Sequence, residues 1–218
     1  FNDTATTEIY TGEDTLSLTD ALPISWAAEY GHLETLKWAR KHGCPWGSDT
    51  CSFAATNGHL EVLKWARERG CSWDESTCSW AAESGHLELL KWAHENECPW
   101  DERTCYFAAG RGHLEVLVWA RSHGCPWNMT TCFYAAENGH LEVLQWARER
   151  GCPWGLETCR LAALNGHLEV LKWAIPKDVL GMNGHVRTLY FTVTSKSSSG
   201  RDPKDVLGPR VRALGPLE

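Results

Sequence analysis

The chain has 218 residues, enough for one ordinary domain or a short repeat array. It is 43% hydrophobic and 22% charged, a balance typical of globular proteins, and no apolar run approaches the ~20 residues that span a bilayer, so no membrane partner is expected. The net charge of −7 divides into −5 over residues 1–25, −5 over 26–174 and +3 over 175–218; a body of that sign argues against nucleic acid, whose phosphates need a basic face.

Residues 1–25 differ in character from the rest of the chain. One codon choice for Asn2 to Thr11 reproduces the start of a short-read sequencing adaptor. Asp14 to Ile24 resembles that adaptor's end, except that Thr19 would read His. The segment is therefore read as non-native and adaptor-derived, which leaves the natural N-terminus missing. Asp20 and Ile24 can still extend the first helix of the array, with a cap at Asp20 and an apolar side chain at Ile24.

From residue 26 to residue 174 one pattern governs. Gly-His-Leu begins at Gly31, Gly58, Gly85, Gly112, Gly139 and Gly166, always 27 residues apart. Recurrence without insertion means that each position has one structural role in every copy. Each copy decodes as two short helices. Gly47, Asp74, Asp101, Asn128 and Gly155 are of the types favoured at a helix N-cap. Cys78, Ala81, Ala82 and Gly85 then fall on one face of a first helix, all small, so a neighbouring helix can approach closely. Gly85 ends that helix, where positive φ is wanted.

Leu87, Leu90 and Ala93 line a second helix, with Leu89 and Trp92 beside them. Gly43, Gly70, Gly124 and Gly151 end the second helices, and Glu97 takes that place in one copy. A single pair cannot bury its apolar side, so the copies must stack as a solenoid. The Trp38, Trp65, Trp92, Trp119, Trp146, Trp173 ladder is expected to fill the seam between second helices. The Trp46, Trp73, Trp100, Trp127, Trp154 ladder is expected to cover the turns.

The stretch A-A-x-N-G-H-L-E-V-L-K at Ala54–Lys64, nearly repeated at Ala162–Lys172, is similar to the most typical part of the ankyrin repeat. The chain resembles the short, Cys- and Trp-rich variant found in protist and large-virus proteins. The resemblance implies an all-α, ankyrin-like solenoid of about six two-helix units. The unit is shorter than the usual 33 residues, so hairpin fingers are expected to be reduced to Cys-Pro-Trp turns. It further implies a scaffold that binds a protein partner through its concave face, with no enzymatic activity and no cofactor. It is read as a monomer in the cytoplasm, where ten thiols stay reduced.

Five C-x6-C pairs (Cys44/Cys51, Cys71/Cys78, Cys98/Cys105, Cys125/Cys132, Cys152/Cys159) give the alternative of a metal- or redox-responsive thiol protein. Structural zinc normally uses C-x2-4-C spacing, and the second Cys of each pair falls on the core face, so core thiols are the main reading. Intra-repeat disulfides stay open. The histidine of Gly-His is expected to bond local backbone. His and Glu recur identically in every copy, which is the mark of architecture; no phosphate loop, nucleophile elbow or H-E-x-x-H motif occurs.

Where copies differ, packing is not in control, and partner choice can lie there. The first helices differ at Asp49/Ser76/Arg103/Thr130/Glu157, Ser52/Ser79/Tyr106/Phe133/Arg160 and Thr56/Glu83/Gly110/Glu137/Leu164, which form one stripe. A protein-binding patch is expected at Arg103, Tyr106, Phe133, Glu137 and Arg160, because aromatic residues and Arg dominate interface energy. The repeat pattern breaks at Ile175. Residues 175–218 read as a disordered tail, with a possible short strand at Leu189–Thr194.

Overall fold

The computed structural model of the protein describes residues 22–178. It contains six helix pairs: α1 (Leu22–Glu29) with α2 (Leu33–Lys41), α3 (Ser48–Thr56) with α4 (Leu60–Glu68), α5 (Glu75–Glu83) with α6 (Leu87–Glu95), α7 (Glu102–Gly110) with α8 (Leu114–Ser122), α9 (Met129–Glu137) with α10 (Leu141–Glu149), and α11 (Leu156–Leu164) with α12 (Leu168–Asp178). No strand occurs among the described residues. The 27-residue period thus becomes one first helix and one second helix per unit, joined by tight turns.

Local chemistry sets each boundary. Asp74, Asp101 and Asn128 sit in extended conformation and accept the backbone N–H two residues on, at 2.9–3.0 Å. These bonds satisfy donors that a helix start leaves unpaired. At the other end of α5, His86 N–H donates to the Ala81 carbonyl at 2.9 Å and Gly85 N–H to the Ala82 carbonyl. This double closure requires a left-handed residue, and Gly85 supplies it with φ +78°. The second helices close alike; Glu97 holds φ +62° where the other copies have glycine, at a cost of about 1–2 kcal/mol.

The core is one continuous column. Leu36, Leu63, Leu90, Leu117 and Leu144 are fully buried, as are Cys51, Cys78, Cys105 and Cys132 with the Ala-Ala pairs that follow them. Ile24 occupies the cysteine position of α1 and is also fully buried, and Ser25 beside it is buried too. Helix α12 continues past Ile175 to Asp178. Asp20, the possible strand at Leu189–Thr194 and the rest of the tail lie outside the described residues.

Side-chain size shapes the stack. Each first helix packs on the next, α1 on α3, α3 on α5, α5 on α7, α7 on α9 and α9 on α11. Their facing residues are Cys and Ala, which let backbones come close. Second helices stand further apart, with the half-buried tryptophans between them. The two Trp ladders meet edge to face: Trp46 on Trp65 at 5.7 Å, Trp73 on Trp92 at 5.9 Å, Trp100 on Trp119 at 5.8 Å, Trp127 on Trp146 at 5.8 Å. A stack held closer on one side curves towards that side, so the first helices line the concave face.

The histidines correct one expectation. They do not bond local backbone. The Nε2 of His59, His86, His140 and His167 donates to a carbonyl 30 residues back, on the first helix of the preceding unit (Glu29, Thr56, Gly110 and Glu137, at 2.7–3.2 Å). The ring therefore ties successive units together. Burial holds the His140 pKa below its usual value, against the opposing effect of the Gly110 carbonyl and with help from His167 and His113; burial and His123 do the same for His94. In the unfolded chain both rings titrate near 6.5. The unfolded state then binds more protons, so stability falls as pH drops through ~6.5 and below. The urea midpoint is expected to be lower at pH 5.5 than at pH 7.5, above the range where carboxylates titrate. His140→Gln, which keeps an N–H donor, is expected to reduce that difference. An equal loss in the variant would mean that other groups carry it.

Candidate protein-binding face

The first helices expose a side chain that the variable-position stripe left out. The residue before each Ala-Ala is Trp26, Phe53, Trp80, Phe107, Tyr134 or Leu161, one large apolar residue per unit. The sequence signal is a large apolar residue recurring every 27 residues, a pattern that core and surface positions share. Trp26 is 57% exposed, and Phe53 and Trp80 are each 38% exposed.

Three units join these rings into a run. Trp80 stacks on Phe107 at 5.5 Å, Phe107 meets Tyr106 edge-on at 4.7 Å, and Tyr106 stacks on Tyr134 at 5.0 Å. The structure thus brings Tyr106 together with Phe107 and Tyr134. Phe133 is half-buried beside Tyr134 and joins no ring contact of this run. Burial, then the neighbouring Tyr134 hydroxyl, pushes the Tyr106 pKa up, so its hydroxyl stays a neutral donor.

The charged members of the stripe are held by neighbours. Arg103 Nε donates to Asp101 Oδ2 at 2.8 Å, and its guanidinium lies 3.9 Å from Glu75 of the preceding unit. Arg160 pairs with Glu157 one turn back and holds that carboxyl below its usual range. Glu137 lines an open hollow of about 260 Å³ with Glu83, Gly110, Phe107 and Tyr134. Gly110 makes room there, since a Cβ would meet Tyr134 at 3.1 Å. Arg111 crosses the hollow to Glu83 at 2.6 Å. A second hollow of about 390 Å³ lies between Phe53 and Trp80, with Asp49 and Glu29 on its rim. Aromatic walls and carboxylate rims define a surface suited to apolar and basic groups.

The thiols face inward. All ten cysteines are free and buried. Their near partners are not those of the C-x6-C spacing: Cys51 meets Cys71, Cys98 meets Cys78, Cys105 meets Cys125 and Cys132 meets Cys152, twenty residues apart within one unit. Donating a hydrogen bond to the partner thiol, then burial, pushes Cys51, Cys98, Cys105 and Cys132 far above the usual thiol pKa, so they stay protonated, while accepting that bond pulls Cys71 and Cys152 below it. Those four protonated, buried thiols are poor nucleophiles and poor metal ligands. Among the described residues no group of three or more His, Cys, Asp or Glu could hold a metal ion, and no helix is long and apolar enough to cross a membrane.

Tandem two-helix units stacked on one shared column of core residues define a helical repeat solenoid. The chain belongs to the ankyrin repeat family: the family model for ankyrin repeats (many copies) matches residues 24–67, 78–121, 104–148 and 132–175, more than half of its length. No curated protein matches it. Ankyrin repeats are in general protein–protein interaction modules, typically without catalytic activity.

Proposed function

We propose that this array binds a protein partner along its concave face, centred on the aromatic run of Trp80, Phe107, Tyr106 and Tyr134. Arg103 and Glu137 flank the run, and Phe133 and Arg160 extend it towards α11. The observation that carries the reading is the run itself: large rings, partly exposed, on the face that the core does not need. Rigid aromatic side chains lose little entropy on binding and bury a large area, which is why they dominate interfaces. The carboxylates of Glu137 and Asp49 favour a partner segment with basic and apolar residues. The array is read as a monomeric scaffold in the cytoplasm, an environment that suits ten unpaired thiols. A metal- or redox-responsive role is not favoured, because the thiols are buried and lie opposite partners other than the C-x6-C ones.

The test is capture from a host lysate, followed by affinity measurement with the leading partner. Phe107→Ala with Tyr134→Ala is expected to weaken binding by about 30-fold, the scale of a central hot spot. Tyr106→Ala with Phe133→Ala is the companion variant. A double variant that melts at a lower temperature yet keeps every partner would show that the rings serve packing and that the patch is elsewhere.

A further inference from the structure

The opposite face carries a second, chemically different feature. Where second helices stand apart, open hollows form between them. The hollow between α2 and α4 has a volume of about 740 Å³ and is lined by Lys37, Arg40, Lys41, Trp65 and Arg69. Four of those five side chains are cations. The hollow between α8 and α10, three units on, is built from the same positions but lined by Val118, Arg121, Ser122, Trp146 and Arg150, with Trp127. The two lysines of the first hollow are replaced there by Val118 and Ser122. At the Lys41 position the other units carry Glu68, Glu95 and Glu149, and at the Arg69 position one carries Asn96. The concentration of positive charge is therefore particular to one hollow and is not a demand of the repeat.

The cations are incompletely satisfied from within. Lys37 reaches Glu34 at 2.6 Å, an exposed pair of little strength. Arg40 lies over the Trp46 ring at 4.5 Å and donates to the Cys44 carbonyl at 3.3 Å. Arg69 lies over Trp65 at 5.5 Å. Lys41 is exposed and has no ion pair among the described residues. Among the described residues, Glu34 is thus the one carboxylate paired with any of the four cations.

We infer that the α2–α4 hollow is a docking site for a short acidic segment of a partner protein, whose carboxylates meet Lys41, Arg69 and Lys37 while its apolar stems lie on Trp65. Charge complementarity selects the sign of the occupant. The surroundings select its extent. Glu68, on α4 itself, and Glu95, on α6, are exposed at the position that Lys41 fills in the first unit, so the positive charge stops after one hollow, and a nucleic acid, with charge at every nucleotide, would run on past it onto like charge. An acidic segment concentrates its charge in a few residues and avoids that repulsion. The site is independent of the concave aromatic run and stands or falls without it.

The probe is a short fluorescein-labelled peptide of alternating Glu and Ser, followed by fluorescence anisotropy with the full chain. The peptide is expected to bind, to weaken as salt is raised, and to lose affinity when its Glu residues are replaced by Gln. Lys41→Glu with Arg69→Asn gives this hollow residues that other units already tolerate, so folding is preserved; affinity is expected to fall at least about tenfold, from the loss of two ion pairs and one charge reversal. Val118→Lys with Ser122→Lys rebuilds the cation set in the α8–α10 hollow and is expected to add a second equivalent of bound peptide. Unchanged affinity in the first variant, or no added site in the second, overturns the assignment. So does an oligothymidylate probe that binds more tightly than the peptide and loses its affinity in the same variant, since the occupant would then be nucleic acid.

Discussion

Leu117→Ala is expected to destabilise the array by about 2–5 kcal/mol, the range for removing a fully buried leucine and leaving part of the cavity open. Leu117 has no exposed surface, and it lies in α8, with units on both sides. In a solenoid each unit is stabilised by its own packing and by its two interfaces. A cavity in a central unit therefore weakens both junctions, and the small Cys and Ala side chains around it have no spare length with which to fill the space. Its neighbour Val118 is 37% exposed, and Val118→Ala is expected to change stability by less than ~0.5 kcal/mol. Urea denaturation of the two variants checks the pair. A Leu117→Ala loss below about 1 kcal/mol would show that the apolar column does not carry the stability of the array.

Gly112→Ala is expected to cost more than the backbone alone explains. Gly112 has φ +78°, and a Cβ there would stand 2.7 Å from His140 Nδ1 and 2.8 Å from its Cε1. The left-handed conformation costs an alanine about 1–2 kcal/mol. The ring cannot move aside freely, because its Nε2 is bonded to the Gly110 carbonyl at 3.1 Å; losing that bond adds about 1 kcal/mol. Gly124 provides the control. It has φ +86°, and a Cβ at that position would meet nothing within 4 Å, so Gly124→Ala is expected to show the backbone cost alone. Equal losses in the two variants, measured by urea denaturation, would mean that the inter-unit histidine contact adds nothing to stability.

Much of the fold is legible in single short segments. Asp74, Asp101 and Asn128 cap helices because a short polar side chain reaches the N–H two residues on, and that reach is local. Gly85 and Gly112 end helices because only glycine takes positive φ without strain, and that too is local. Helical periodicity puts Leu90 and Leu117 in the core, and both are fully buried. The candidate binding face is only partly legible. Variability marks Tyr106, whereas Phe107 and Tyr134 carry only the 27-residue recurrence of a large apolar residue, which does not separate an exposed position from a core one. They face outward in part because Cys and Ala, one step away on the same helices, already fill the narrow space between units.

By itself the sequence determined the 27-residue period, the helix ends and the column of buried Leu, Ala and Cys, since each follows from spacing along one short segment. Only the tertiary structure decided what meets across units. His140 reaches the Gly110 carbonyl 30 residues back, Cys51 faces Cys71 and not Cys44, and Lys37, Lys41 and Arg69 converge on Trp65. Those meetings depend on how far apart successive helices stand. Small side chains draw the first helices together and tryptophans hold the second helices apart. That distance is a property of stacked copies, and it cannot be read from a single unit.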